Sequence, residues 1–192
     1  MVMKYILYLI IIGLTISCSR YENEDGLVYS EYFIESYLEL ANIKEIKTYG
    51  ERVKLLFDGK YIGSNNYPVE FDFYASLYND LEFKRKKLPS PPAIADTIQS
   101  IKIYLFEGGA LEDISKYEEI RCYSYYPFLK NSYKGEHYTF VNARLTEIKP
   151  EEIILILNYD FYLVFDEGIL QEDSEYEIKV TTVSGKELTK RF

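Results

Sequence analysis

The sequence predicts a mostly β protein, an antiparallel β-sandwich of about seven to nine short strands with at most one short helix. Three observations predict this class. Short stretches of alternating apolar and polar residues recur along the chain, and Gly, Pro, Asn and Asp separate them. Tyr and Phe, which favour strands, number 21 and 11. No long helical pattern interrupts these stretches, and after residue 17 no apolar run is long enough to enter a membrane.

The N-terminal segment has the pattern of a secretory signal. Lys4 precedes an unbroken apolar run over residues 5–16. As a helix this run would rise about 18 Å, too little to cross a bilayer core of ~30 Å. A cationic start, a short apolar run and small residues before a cysteine are typical of a cleaved signal. We therefore expect residues 1–17 to be removed.

Cys18 is the predicted lipid attachment site. The stretch LTISC at residues 14–18 resembles the lipobox of bacterial lipoproteins, whose new N-terminal cysteine is acylated. It departs from that pattern at Thr15, where Leu is preferred, and an ordinary signal followed by a chance cysteine is the alternative. Two or more acyl chains anchor a protein stably. In the resembled class, Ser19 after the cysteine favours the outer membrane.

Residues 18–28 are polar and predict a tether, followed by a single domain over residues 29–192. The acidic group of the tether resembles that of surface-exported lipoproteins, although a solvated linker has the same composition. A domain of this length buries enough apolar surface to fold without disulfides.

The first half of the domain predicts four strand regions. Residues 32–38 are β-rich. Residues 53–57 and 60–62 flank Asp58-Gly59, which favours a type I′ hairpin turn. Residues 69–77, VEFDFYASL, alternate apolar and acidic side chains, as in a strand with one solvated face.

The middle of the chain predicts a crossover and a further strand. The basic cluster KRKK at residues 84–87 leads into a proline-rich segment, residues 88–92, which cannot join a central ladder. This cluster either binds an anion or lies at a solvated loop edge. Residues 101–105 alternate as a strand that Gly108-Gly109 ends. One short helical turn is predicted from the spacing of Leu111, Ile114 and Tyr117.

The last third of the chain predicts four strand regions. Residues 121–128 are β-like, and residues 153–157, IILIL, predict a strand buried on both faces, which residues 162–165 extend. The clearest hairpin joins residues 175–183 to 186–192 through Ser184-Gly185.

Three segments resemble uncharacterised lipoproteins of gut-type Gram-negative bacteria, which have an immunoglobulin-like β-sandwich domain of unknown function. The segments are residues 89–103, the turn containing Leu111 and the terminal YEIKVTTVSGKELT. These segments cover about a third of the chain. The resemblance implies an immunoglobulin-like sandwich and a lipid anchor. It carries no assigned reaction.

Composition and motifs exclude several function classes. The net charge of −9 disfavours binding to nucleic acid. His137 is the one histidine, which excludes sites that need two. The chain has neither a G-x-S-x-G elbow nor a phosphate-binding glycine motif. We therefore expect no enzyme and no cofactor, with Cys122 buried as an unpaired core residue once Cys18 carries lipid.

The densest acidic group is a weak Ca²⁺ candidate. Two pairs of carboxylates flank one loop, and such oxygens bind Ca²⁺ weakly in extracellular modules. The EF-hand spacing is absent, and a solvated turn is the alternative interpretation. The residues are Asp166, Glu167, Glu172 and Asp173.

These expectations combine into a lipid-anchored, non-enzymatic protein of the outer membrane that binds or scaffolds a protein or glycan partner. A Tyr-rich surface suits recognition, although Tyr also suits half-exposed strand positions. One alternative is a glycan-binding accessory protein. Others are a hydrolase with paired carboxylates and a structural subunit that pairs through a strand edge.

Overall fold

The computed structural model describes residues 29–30, 32–81, 85–86, 91–131, 137–158 and 160–192, with only the backbone described for residues 29–30 and 85–86. The predicted signal at residues 1–17, the tether at 18–28 and the acylation site Cys18 lie outside the described residues. So does most of the proline-rich segment.

Within this part of the chain, ten strands form two sheets, two more short strands pair with each other, and two helices are present. In chain order the strands are β1 (Tyr29–Ser30), β2 (Ser36–Tyr49), β3 (Arg52–Gly63), β4 (Arg85–Lys86), β5 (Ala93–Ile94), β6 (Ile98–Glu107), β7 (Ala110–Asp113), β8 (Glu118–Ser124), β9 (Thr139–Arg144), β10 (Phe161–Phe165), β11 (Glu175–Thr182) and β12 (Glu187–Arg191). The helices are α1 (Pro68–Leu77) and α2 (Tyr126–Lys130), and 3₁₀ turns lie at Ser115–Tyr117 and Pro150–Ile153.

The mostly β prediction is confirmed, but the strand count exceeds nine and there is more than one short helix. The larger sheet has the order β5-β2-β3-β10-β8-β9, and the smaller has the order β12-β11-β6-β7. The pairings are antiparallel except for β2 with β5. Among the described helices, none is both long and apolar enough to cross a membrane.

The two sheets enclose one hydrophobic core. Side chains alternate along each strand, so Leu55 and Phe57 of β3 point inward together with Leu163 of β10. From the smaller sheet, Ile103 and Ile178 face them. Each such side chain contributes about 1.5–3 kcal/mol on burial. Cys122 lies in this core as a free thiol, which confirms the prediction made for it.

The other face of the larger sheet is covered at one end by α1 and α2. Tyr37 of β2 and Ile62 of β3 point to this side and pack with Phe71 of α1 in a second buried cluster. The buried Asp80 carboxylate, just after α1, accepts the backbone N–H groups of Phe33 and Ile34 at 2.8 Å each. These bonds fix the start of the domain to the end of α1.

The predicted strand at residues 69–77 is wrong, because these residues form α1. Pro68 occupies the first turn, where its missing N–H is tolerated. Phe71 and Ala75, four residues apart, bury against the second cluster. The same residues also alternate with period two, as a strand would require. In the structure Phe73 stays 61% exposed, whereas Phe71 packs on Tyr37, and this contact favours the helix.

The buried run at residues 153–157 is not a regular strand. Its backbone passes through the 3₁₀ turn, and Leu155 has a φ of +55°. Only isolated bridges remain, Ile156 with Ser124 and Leu157 with Ala93. The buried backbone is nevertheless paired, since the N–H of Ile94 donates to the Ile156 carbonyl at 2.8 Å. The continuous apolar run therefore predicted the burial of these residues correctly, but the prediction of a regular strand was wrong.

The C-terminal hairpin is confirmed. β11 and β12 pair from Glu177 opposite Arg191 to Thr181 opposite Glu187. Gly185 in the turn has a φ of +83°, a conformation that glycine adopts without strain. Gly108-Gly109 ends β6 as predicted, but Leu111 lies in β7, and the short helical turn is confined to Ser115–Tyr117.

Candidate binding face

The uncovered part of the larger sheet carries a cluster of rings and cations, which we call the basic-aromatic face. Its residues point outward because they alternate with core residues on four adjacent strands. Its members are Arg52 and Lys54 of β3, Tyr162 of β10, Arg121 and Tyr123 of β8, and Phe140 of β9.

A shallow groove of about 250 Å³ runs across this face, with Asp160 and Val164 also lining it. The rings of Tyr123 and Phe140 lie 5.3 Å apart between centroids and are tilted against each other. The Lys54 ammonium lies 5.2 Å from the centroid of the Tyr162 ring, a cation–π distance. Phe140 is 52% exposed, so much of this apolar surface faces solvent.

The cations of this face are only partly neutralised. Arg121 donates to Glu119 at 3.4 Å and to Asn142 at 3.2 Å. Arg52 forms no ion pair with any described residue, and Asp160 is the one carboxylate among the residues that line the groove. In a chain of net charge −9 this face carries more positive than negative groups. Exposed rings beside guanidinium groups are typical of recognition surfaces.

A second, larger groove of about 460 Å³ lies at one end of the two sheets. It is lined by Gly50 and Glu51 after β2, by Glu172 of the β10–β11 loop and by the C-terminal Phe192. Its carboxylates make it acidic. The stacked rings of Tyr176 and Phe192, 5.4 Å apart between centroids, also line it.

The weak Ca²⁺ candidates occupy this loop but do not converge. The Asp166 carboxylate binds the Arg144 guanidinium through both oxygens, at 3.2 Å each. Glu172 lines the second groove, whereas Glu167 and Asp173 are exposed. Within the described residues, no group of three or more His, Cys, Asp or Glu side chains is placed to hold a metal ion.

Comparison of the chain with protein-family models, with curated proteins and with solved structures finds no match.

Glycoside hydrolysis uses a pair of carboxylates on opposite sides of a substrate, whereas the described residues that line the groove of the basic-aromatic face include one carboxylate. Burial raises the pKa of the Cys122 thiol to about 12, so the thiol stays protonated and unreactive. His137 is half-buried against the rings of Phe33 and Phe128, with ring centroids at 5.1 and 5.4 Å.

The basic-aromatic face was not singled out from the sequence, although a signal for it exists. Arg52 and Lys54 occupy alternate positions, as do Arg121 and Tyr123, and each pair alternates with inward apolar residues. What the sequence does not contain is the strand order that places β3, β10, β8 and β9 side by side.

Proposed function

We propose that this protein is a non-enzymatic lipoprotein of the bacterial outer membrane, anchored by acyl chains on Cys18. Its body, an immunoglobulin-like β-sandwich, binds or scaffolds a partner through the basic-aromatic face. The two packed sheets with largely antiparallel pairing support the sandwich, and the sequence at residues 14–18 supports the anchor.

One observation carries the binding role. The basic-aromatic face exposes rings and Arg52, which has no ion-pair partner among the described residues, on a face of the larger sheet that α1 and α2 cover only at one end. Rigid aromatic side chains lose little entropy on binding, and Tyr and Arg are enriched among residues that dominate binding energies.

A glycan is the second candidate partner. Three rings line the groove beside two guanidinium groups and one carboxylate. Apolar sugar faces pack on rings, and sugar hydroxyls accept from guanidinium groups or donate to a carboxylate. The same residues suit a protein partner, so binding measurements must include both classes.

The anchor predicts a specific effect of one substitution. Changing Cys18→Ser removes the thiol that forms the thioether, so the expressed chain should lose labelled palmitate and leave the membrane fraction. Metabolic labelling and fractionation measure this, and Cys122→Ser is the matched control because its buried thiol takes no part. Palmitate retained by the Cys18→Ser chain would contradict the proposed anchor.

The binding role predicts a loss on removing one ring. Tyr162→Ser should weaken binding by about tenfold or more, which corresponds to about 1.4 kcal/mol. Tyr104→Ser is the control, since Tyr104 is also half-exposed, on central strand β6 of the smaller sheet. The probes are an array of immobilised polysaccharides and a detergent-solubilised outer-membrane fraction. Equal losses for the two variants would contradict the role of this face, and turnover of a polysaccharide would contradict a non-enzymatic protein.

A further inference from the structure

Helix α1 exposes an apolar stripe that the fold does not explain. Val69, Phe73 and Leu77 are 77%, 61% and 58% exposed. They are spaced by four residues and therefore lie along one side of the helix, away from the buried Phe71 and Ala75. Single exposed apolar residues are ordinary, but three aligned on one helix mark a surface that contacts something else.

The stripe lies where the predicted tether reaches the domain. The Tyr32 hydroxyl donates to Asp72 of α1 at 3.0 Å, and the rings of Tyr32 and Phe71 are 4.9 Å apart. Residues 18–28 can span at most about 40 Å when fully extended. A lipid on Cys18 would therefore hold the start of α1 close to the bilayer.

The two acidic groups beside the stripe have different partners. Glu70 is paired with the Lys60 ammonium at 3.2 Å, whereas Asp72 accepts from the neutral Tyr32 hydroxyl and keeps its charge. The backbone of the short strand β4, Arg85–Lys86, pairs with β1 at the start of the domain. An acyl chain needs a second contribution for a stable orientation, and inserted apolar side chains are such a contribution.

We propose that the stripe of Val69, Phe73 and Leu77 rests in the headgroup region of a bilayer and sets the orientation of the body on the membrane. This inference rests on the proposed lipid anchor. The anchor holds the chain near the membrane, and the stripe inserts its apolar side chains.

The absence of Trp from the chain permits a direct test. The acylated chain carrying Phe73→Trp is reconstituted on vesicles of phosphatidylethanolamine and phosphatidylglycerol. Its emission should shift to shorter wavelength, and brominated lipid should quench it several-fold more than the control Phe140→Trp. Phe140 has similar exposure but lies on the basic-aromatic face.

The outcomes distinguish a failure of the lipid anchor from a failure of the proposed contact between the stripe and the bilayer. A chain that does not float with the vesicles refutes the lipid anchor, and this inference with it. A chain that floats while Phe73→Trp stays as accessible to acrylamide as Phe140→Trp keeps the anchor and overturns the inference. Shielding of Phe73→Trp only after outer-membrane proteins are added also overturns it, and assigns the stripe to a protein partner.

Discussion

Replacing Gly59 with alanine is expected to destabilise the protein by about 3 kcal/mol or more. Gly59 lies inside β3, where β2 contains an extra residue between Leu40 and Asn42. A Cβ atom at this position would lie 2.0 Å from the Glu39 carbonyl oxygen and 2.9 Å from the Ala41 nitrogen. Both are backbone atoms of β2, so no side-chain rotation can relieve the overlap.

The damage should spread along the hairpin. β2 and β3 pair over most of their length, and β3 places Val53, Leu55 and Phe57 in the core between the sheets. Moving β3 away from the bulge shifts those side chains. If the register between β2 and β3 also changes, apolar side chains on both faces of the sheet lose buried area. For a chain of this size, 3 kcal/mol lowers the melting temperature by about 6–12 °C.

Gly63→Ala is the matched control, because the same substitution in the same strand meets Asn66 and Glu35 at 3.4 Å, an ordinary contact distance. Thermal and urea unfolding followed by circular dichroism measure both variants. We expect Gly63→Ala to stay within about 1 kcal/mol of the parent chain. Equal stability of the Gly59→Ala chain would show that β2 and β3 do not approach each other in this way.

Gly59 also shows why the hairpin turn predicted from the sequence was placed wrongly. Asp58-Gly59 between two β-like runs predicts a hairpin turn, yet both residues lie within β3, and the Asp58 carboxylate accepts the Gly59 N–H at 2.9 Å. The turn lies instead next to Gly50, whose φ is +60°. Glycine is needed at a turn and at a bulge for different reasons, and the sequence alone does not distinguish positive φ from close backbone approach.

The alternation of apolar and polar residues therefore predicted strand pairs whose two strands are close in sequence, such as β11 with β12. The same alternation gave a wrong prediction for α1. Its residues fit both the period of two of a strand and the period of 3.6 of a helix, and the contact with Tyr37 favours the helix. The alternation also failed for the binding face, because the outward residues come from β3, β8, β9 and β10, which are distant in sequence. Strand order depends on tertiary packing, which alternation does not encode.

Stability is also expected to fall as the pH rises from about 5 to about 8, because of Glu118. This side chain is fully buried at the start of β8, and neither carboxyl oxygen has a hydrogen-bond partner among the described residues. It points inward with Ile120 and Cys122, since side chains alternate along the strand. Burial raises the pKa of Glu118 to about 9, with a smaller increase from Asp166 and a decrease from Arg144.

The direction of the effect follows from proton binding. In the unfolded chain Glu118 loses its proton near its ordinary pKa of 4.5, whereas the folded chain retains the proton up to about 9. Between these values the folded state binds more protons, so raising the pH favours unfolding. The contribution is fully present below pH 4.5 and is lost progressively as the pH approaches 9. One such group changes stability by at most about 1.4 kcal/mol per pH unit, so the loss from pH 5 to pH 8 is on the order of 3 kcal/mol.

Glu118→Gln tests this assignment, because the amide keeps the size and polarity of the protonated acid but does not titrate. The variant should match the parent chain near pH 5 and exceed its stability at pH 8 by on the order of 3 kcal/mol. Urea unfolding at a series of pH values gives the difference. Glu119→Gln is the control, since Glu119 points outward from β8 to Arg121 and should leave the slope unchanged.

The comparison separates Glu118 from the surface charges near it. Arg144 and Asp166 form an exposed ion pair, and exposed pairs contribute about 0–1 kcal/mol. If the pH slope came from that pair, Asp166→Asn would abolish it and Glu118→Gln would not. We expect the reverse, because a buried acid without a partner resists ionisation through lost hydration, which no surface charge restores. A parent slope that persists in the Glu118→Gln chain would refute the buried, protonated state of this side chain.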